Sequence, residues 1–200
     1  MNFLAHVYLS DNIPLRAIGN FIADSVKGKD YLNYHGEMRI GILLHRKIDS
    51  YTDGHPIFRQ SVRRLFEQYR HYSPVIVDMF YDHFLAKYFS QFHSVKLEVF
   101  IRNFYLQLED HLSILPKSSQ RIVPILLSEN WFLKYKTIEG LEEILVQMDK
   151  RKPRQSIMHQ SIRELLLDYS DFENDFFQFM PLIKTYAKHQ ADDLLIKNNL

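Results

Sequence analysis

The chain has no cysteine, and this absence excludes disulfide bonds and thiolate metal ligands. Its 200 residues include only 6 glycines and 7 prolines, which argues against a turn-rich all-β fold. The net charge of +1 gives no general attraction to nucleic acid. No apolar run approaches the roughly 20 residues that cross a bilayer, and the N-terminus lacks signal-peptide features. We therefore expect one cytoplasmic domain over residues 1–200, without a membrane or nucleic-acid partner and of open oligomeric state.

Bulky apolar residues are plentiful, with 15 Phe and 12 Tyr available for a core. Alternation with a period of two residues is nowhere sustained, whereas apolar residues recur at helical spacing. Ser73-Pro74 is a typical helix start, and Asp53-Gly54-His55-Pro56 is a typical helix end and restart. The sequence therefore predicts an all-α bundle of roughly eight to ten helices. The expected segments are 14–26, 36–53, a basic helix from 56, 74–92, 96–114, 118–135, 137–149, and one or two long helices from 155 onward.

Histidine and aspartate residues of the N-terminal half occur at spacings that suit a shared site. His45, Asp49 and Asp53 are spaced i, i+4 and i+8, and Asp78 and Asp82 form a second i, i+4 pair. Residues four apart on a helix have neighbouring side chains that can reach one ion. A single pair of this kind is more often an ordinary surface contact, and the alternative for Asp53 is a helix-end residue before Gly54.

Two further candidates, His6 and Asp24, stand upstream in otherwise apolar surroundings. A carboxylate on an apolar face needs a partner or a metal, because burying it alone costs several kcal/mol. Imidazole and carboxylate ligands together suit Mn²⁺, Fe²⁺, Zn²⁺ or Mg²⁺, and helical bundles build such sites from facing helices. The alternatives are a core histidine at position 6 and an ion pair between Asp24 and Lys27. Taken together, these separate places predict one divalent metal site.

Several short blocks, spread in order along nearly the whole chain, are more specific together than any single motif. They are Met1–His6, Gly19–Asp24, Gly41–Asp49, Thr52-Asp53, Asp82–Leu85, Ser128–Trp131 and Arg151–Arg154. In these blocks the chain resembles the acyl carrier protein phosphodiesterases, considered distant relatives of the all-helical HD-domain phosphohydrolases. The resemblance implies hydrolysis of the phosphodiester that joins phosphopantetheine to a carrier-protein serine, with manganese as the typical ion. The chain has no His-Asp dipeptide, and Asp82-His83 has the reversed order, so ligand roles are not transferred from HD enzymes.

The quoted blocks and the helical spacing together suggest roles for individual residues. The expected metal ligands are His6, Asp24, His45, Asp49 and Asp82. A divalent ion neutralises phosphodiester charge and lowers the pKa of water. His83 is the candidate proton donor, because imidazole titrates near neutral pH. Arg46 is expected to clamp a phosphate oxygen or else to form a plain ion pair. Asp78 and Asp53 are expected to orient one of the metal ligands without binding the ion themselves.

Acyl carrier proteins are acidic, so the resemblance also implies a positive docking face. The candidates are Arg59, Arg63 and Arg64 on one helix, and Lys150, Arg151, Lys152 and Arg154 on a turn. A solvated surface is the plain alternative for each cluster. Two other functions remain open from the residues alone. One is a metal phosphohydrolase acting on a small nucleotide or another phosphodiester, and the other is a non-enzymatic helical scaffold.

Overall fold

The computed structural model describes residues 2–150 and 156–198. Within these ranges the chain forms helices and no β-strand, which confirms the all-α prediction. The α-helices are α1 (Phe3–Tyr8), α2 (Pro14–Ile22), α3 (Gly36–Gly54), α4 (Pro56–Tyr69), α5 (Ser73–Lys87), α6 (Phe89–Phe92), α7 (Leu97–Asp110), α8 (Lys117–Ser128), α9 (Trp131–Lys134), α10 (Ile138–Lys150), α11 (Ile162–Leu167) and α12 (Tyr169–Lys197). No helix in the described ranges is both long and apolar enough to cross a membrane.

Some predicted segments are interrupted where the sequence pattern continues. The segment expected over 14–26 leaves the α-helix after Ile22 and tightens into a 3₁₀ turn, Ala23–Ser25. The segment expected over 74–92 is divided between α5 and α6 at Tyr88. The segment expected over 118–135 breaks at Asn130, which adopts a left-handed conformation with φ of 50°. The turn predicted over Lys150–Arg154 starts at Lys150, which is the last residue of α10, and residues 151–154 lie outside the described residues.

Helices α2 and α3 pack backbone against backbone because glycine stands at both points of closest approach. A Cβ added to Gly41 would lie 2.1 Å from the carbonyl oxygen of Arg16, and one added to Gly19 would lie 2.1 Å from that of Met38. Neither position can accept a side chain without moving a main chain. Glycine therefore sets the distance between these two helices, and with it the positions of the polar side chains that follow each glycine.

Helix α5 lies at the centre of the core and is buried on nearly all sides. It contacts α1, α4, α10 and α12. Its Tyr81 and Phe84 rings pack on Phe176 of α12 with centroid distances of 5.7 and 5.6 Å. The helix α12 also packs along α3 and α4. This aromatic core holds α3, which carries two of the predicted metal ligands, His45 and Asp49, on one side of the molecule.

Candidate metal centre

Four of the five predicted metal ligands converge in the folded chain. His6 comes from α1, Asp24 from the 3₁₀ turn after α2, and His45 and Asp49 from α3. His6 Nε2 lies 3.1 Å from Asp49 Oδ1, and His45 Nε2 lies 3.0 Å from Asp49 Oδ2. Asp24 Oδ1 lies 3.3 Å from His45 Nε2. One ligand atom each from His6, His45 and Asp49 lies within 4.8 Å of the other two, the spacing of a metal site.

The two imidazoles form the floor of this cluster and the two carboxylates form its open side. The side chains of His6 and His45 are 2% and 7% exposed, whereas those of Asp49 and Asp24 are 40% and 74% exposed. The i, i+4 spacing of His45 and Asp49 places both on one face of α3, as the sequence predicted. A ligand approaching from solvent therefore meets carboxylate oxygens first and imidazole nitrogens behind them.

The charges of the cluster are strongly coupled. Burial, together with the neighbouring His45, lowers the pKa of His6 to about 4, so His6 is neutral. Burial also acts against the charged form of His45, but the carboxylates of Asp24 and Asp49 outweigh it and raise the pKa of His45 to about 9. The hydrogen bond to His45 lowers the pKa of Asp24. The pKa of Asp49 is also lowered, because its two histidine contacts exceed the cost of burial.

The arrangement fits a divalent cation. The His6 side chain is buried, yet neither of its ring nitrogens forms a well-directed hydrogen bond with any of the described residues. Buried polar atoms without such a partner are rare in native proteins and mark places where an ion or water completes the site. The His6 and His45 rings are stacked with centroids 3.9 Å apart, so both can direct a nitrogen toward the same carboxylates. Two imidazoles and two carboxylates are a donor set for Mn²⁺, Fe²⁺, Zn²⁺ or Mg²⁺.

Asp82, the fifth predicted ligand, is not part of this cluster. Its Oδ2 accepts the backbone N–H of Leu4 at 2.9 Å, and its Oδ1 accepts that of Ala5 at 3.1 Å. The carboxyl is fully buried, and burial raises its pKa to about 7 against the effect of these two bonds. Asp82 therefore caps the N-terminus of α1. It fixes the position of the helix that carries His6.

His83, the predicted proton donor, lies in a different polar cluster. Its Nδ1 donates to the carbonyl of Tyr135 at 2.8 Å, and its Nε2 lies 2.8 Å from the hydroxyl of Tyr169. Lys87 Nζ donates to the same hydroxyl at 2.8 Å. Burial lowers the pKa of His83. These contacts join α5 to the start of α12 and to the residue that follows α9, and none of them involves the metal cluster.

Arg46 has contacts that the sequence did not predict. The Arg46 guanidinium donates to the carbonyls of Val26 at 3.0 Å and Gly28 at 2.9 Å. It therefore holds the segment that follows Asp24. The described contacts of Arg46 include no ion pair, and both terminal nitrogens of its guanidinium already donate to backbone carbonyls. Burial raises the pKa of Asp78 to about 6, and the negative charge of Asp49 contributes to this shift.

One residue of the site, Asn20, received no role in the sequence analysis. It is fully buried and bonded to both histidines of the cluster. The available signal was a single amide within the apolar run Ala17-Ile18-Gly19-Asn20-Phe21-Ile22. A buried amide in such a run requires hydrogen-bond partners from neighbouring elements.

The cluster is a candidate divalent-metal site built from imidazole and carboxylate side chains of separate helical segments. The family model described as acyl carrier protein phosphodiesterase matches residues 1–183, and the chain belongs to this family. This confirms the resemblance seen in the sequence. By family the chain is an enzyme, a hydrolase that acts on a phosphodiester bond.

Relatives named acyl carrier protein phosphodiesterase match almost end to end. One from Photorhabdus laumondii subsp. laumondii is 31% identical over 191 residues, which cover 95% of this chain and 96% of the relative. One from Pectobacterium atrosepticum is 32% identical over 191 residues, with 95% and 99% covered. One from Escherichia coli O9:H4 is 32% identical over 195 residues, with 96% and 100% covered. No solved structure matches the chain, so the distant relation to HD-domain enzymes stays a prediction.

Proposed function

We propose that the chain hydrolyses holo acyl carrier protein to apo acyl carrier protein and 4′-phosphopantetheine with a divalent cation held by His6, Asp24, His45 and Asp49. The observation that carries this proposal is the convergence of four side chains from three separate segments in a member of this family. Manganese is the proposed ion, with Mg²⁺, Fe²⁺ and Zn²⁺ as alternatives.

The residues of the cluster divide the work of binding and orientation. When bound, a divalent cation supplies positive charge that offsets the anionic phosphodiester and favours attack by water. Asp49 contacts both imidazoles and so fixes their relative positions. His6, already neutral, offers a lone pair, whereas His45 must lose a proton before it can do so. Asp24 is the most exposed of the four and lies nearest to an incoming substrate.

The roles predicted for Asp82, His83 and Arg46 are not included in this proposal. Asp82 holds the N-terminus of α1, and Arg46 holds the segment after Asp24, so both position ligands without touching the ion. A proton from His83 could leave only through Tyr169, because the Tyr169 hydroxyl occupies its Nε2. A catalytic role for Asp78 stays a prediction.

The proposed substrate is acidic, and helix α4 offers a basic surface for it. Arg59, Arg63 and Phe66 are exposed and spaced i, i+4 and i+7, which places them on one helix face. The Arg70 guanidinium lies over the Phe66 ring at 5.7 Å and extends this stripe. Arg59 Nε donates to the carbonyl of Asp53 at 2.8 Å, so the stripe begins at the end of the helix that carries Asp49. We call these four residues the α4 stripe.

Arg64, which the sequence placed in the docking set, has a structural role. It forms an ion pair with the buried carboxylate of Asp175 on α12. Ser61 Oγ donates to the same carboxylate at 2.7 Å. Arg64 therefore neutralises a buried charge and is excluded from the α4 stripe. Arg151, Lys152 and Arg154 lie outside the described residues, so their part in docking stays a prediction.

The decisive experiment is to incubate purified holo acyl carrier protein with the chain and Mn²⁺ and to measure the mass of the carrier protein by mass spectrometry. We expect the loss of one phosphopantetheine with Mn²⁺ and no loss with excess chelator. Hydrolysis of a simple phosphodiester such as bis(4-nitrophenyl) phosphate without hydrolysis of the carrier would instead favour a small-molecule phosphohydrolase. Failure to bind Mn²⁺ or to cleave either substrate would favour the helical scaffold.

A further inference from the structure

Asn20 on α2 forms hydrogen bonds with both proposed histidine ligands, with the backbone of His6 and with the ring of His45. Its backbone oxygen lies 2.9 Å and its Oδ1 lies 3.2 Å from His45 Nδ1. Its Nδ2 donates to the carbonyl of His6 at 2.8 Å and to Ser10 Oγ at 3.1 Å. The side chain has no exposure to solvent. One amide therefore connects the backbone of α1 with a ring of α3.

The two oxygens of Asn20 determine where His45 keeps its proton. A carbonyl oxygen only accepts, so His45 Nδ1 must carry a hydrogen to satisfy both contacts. In the neutral ring this leaves the lone pair on Nε2, the atom that faces Asp24 and Asp49. Metal-binding histidines in general donate their other ring N–H to such an acceptor, which fixes tautomer and orientation.

The amide nitrogen of Asn20 acts on the other histidine through its main chain. By binding the His6 carbonyl, it fixes how α1 sits against α2. The close approach at Gly41 fixes α2 against α3 in the same region, since a Cβ on residue 41 would lie 2.8 Å from the backbone nitrogen of Asn20. Asn20 is thus placed by backbone packing and transmits that placement to both rings.

We propose that Asn20 is the positioning residue of the metal site, which holds His45 in the Nδ1–H tautomer and aligns α1 so that both imidazoles address one ion. This inference rests on the proposed metal site but adds a residue to which no ligand role is assigned. It concerns metal affinity, and it can be tested without the carrier protein.

The primary test uses Asn20→Asp, which keeps the shape and the acceptor for His45 but loses the donor to His6. We expect Mn²⁺ affinity, measured by calorimetry or electron paramagnetic resonance, to fall about 10- to 100-fold. The matched control is Ser161→Ala, which removes a buried hydroxyl that donates to the Met158 carbonyl in a distant turn. It should lower thermal stability without changing Mn²⁺ affinity. Equal affinity of wild type and a folded Asn20→Asp would overturn the proposal.

A second measurement needs no variant, in case Asn20→Asp does not fold. Nitrogen-15 spectra of the imidazoles in the Zn²⁺-loaded wild-type protein report which nitrogen of His45 carries hydrogen. We expect a protonated Nδ1 and a metal-shifted Nε2. A protonated Nε2, or a wild-type protein that binds neither Zn²⁺ nor Mn²⁺, contradicts the inference. Loss of carrier-protein hydrolysis with intact metal binding would instead count against the proposed function alone.

Discussion

The imidazole rings of His6 and His45 lie stacked, with centroids 3.9 Å apart and planes 17° apart. Two buried imidazoles at this distance cannot both be charged, because a positive charge on one ring makes protonation of the other ring less favourable. The carboxylates resolve the conflict by charging His45 and leaving His6 neutral. The pair therefore holds a free nitrogen lone pair on His6 and a proton on His45, and a divalent ion must displace that proton before His45 can bind it.

Asp49→Asn should abolish both metal binding and hydrolysis. The amide keeps the shape of the side chain but removes the negative charge that contacts both histidines. We expect Mn²⁺ affinity to fall by at least about 10-fold and phosphopantetheine release to be lost, with helical circular dichroism unchanged. Asp193→Asn is the matched control, since Asp193 is exposed on α12 and the same charge is removed. Wild-type Mn²⁺ affinity in Asp49→Asn would remove this residue from the site.

The sequence predicted the α3 part of the site because local geometry determines it. His45 and Asp49 are one turn apart, and helical periodicity alone places them together. His6 and Asp24 were expected at the site because their sequence surroundings are apolar and because both end a block that resembles the family. Asp82 was expected at the same cluster but lies at the N-terminus of α1, and both Asp82 and His83 belong to α5, which is buried on nearly all sides. On such a helix periodicity cannot tell which face meets which neighbour.

The helix interruptions and the role of Asn20 depend on tertiary contacts that the sequence pattern does not encode. The left-handed Asn130 divides a segment whose apolar spacing continues through it. Similarly, the end of α2 at Ile22 makes room for the 3₁₀ turn that turns Asp24 toward His45. The Asn20 amide meets both histidines only when α1, α2 and α3 have packed, so an amide in an apolar run signals burial but does not reveal its partners.

Gly41→Ala should separate α2 from α3 and weaken the site from a distance. The new Cβ would lie 2.1 Å from the Arg16 carbonyl oxygen, so one of the two backbones must move. We expect a loss of about 1–3 kcal/mol in the free energy of unfolding, measured with urea and chelator, and weaker Mn²⁺ binding. Gly54→Ala is the control, because nothing lies within 4 Å of a Cβ there. Equal stability of the two variants would contradict the backbone contact.

The buried carboxyl of Asp82 should make stability fall as the pH rises. Its folded pKa is about 7 against an ordinary value of 3.8, so the folded state binds the proton more tightly. This contribution is complete below about pH 4 and is lost as the pH rises through 7, with a slope of at most about 1.4 kcal/mol per pH unit. Urea unfolding from pH 5 to 8 should show wild type losing stability relative to Asp82→Asn. The exposed Asp192→Asn should follow wild type, and parallel curves for all three proteins would refute the raised pKa.

The cluster around His83 should act on stability and not on turnover. Tyr169→Phe removes the hydroxyl between His83 Nε2 and Lys87 Nζ and leaves a buried nitrogen without its partner. We expect a loss of about 1–3 kcal/mol in unfolding free energy and a kcat close to wild type. The control is Tyr186→Phe, whose ring stacks on Tyr51 at 4.2 Å. A large fall in kcat at unchanged stability would instead support His83 as a proton donor acting through Tyr169.

Charge reversal on the α4 stripe should weaken substrate capture without affecting the chemistry. Arg63 lies at the centre of an exposed basic face, and an acidic carrier protein approaching it gains attraction that salt screens. Arg63→Glu should raise KM for holo acyl carrier protein about 10-fold at low ionic strength, leave kcat nearly unchanged, and differ less from wild type as salt is added. The control is Lys188→Glu, the same charge change at an exposed position on α12. Equal effects of the two substitutions would mean that net charge, and not this surface, governs the encounter. An unchanged, salt-independent KM in Arg63→Glu would place the docking surface elsewhere on the molecule.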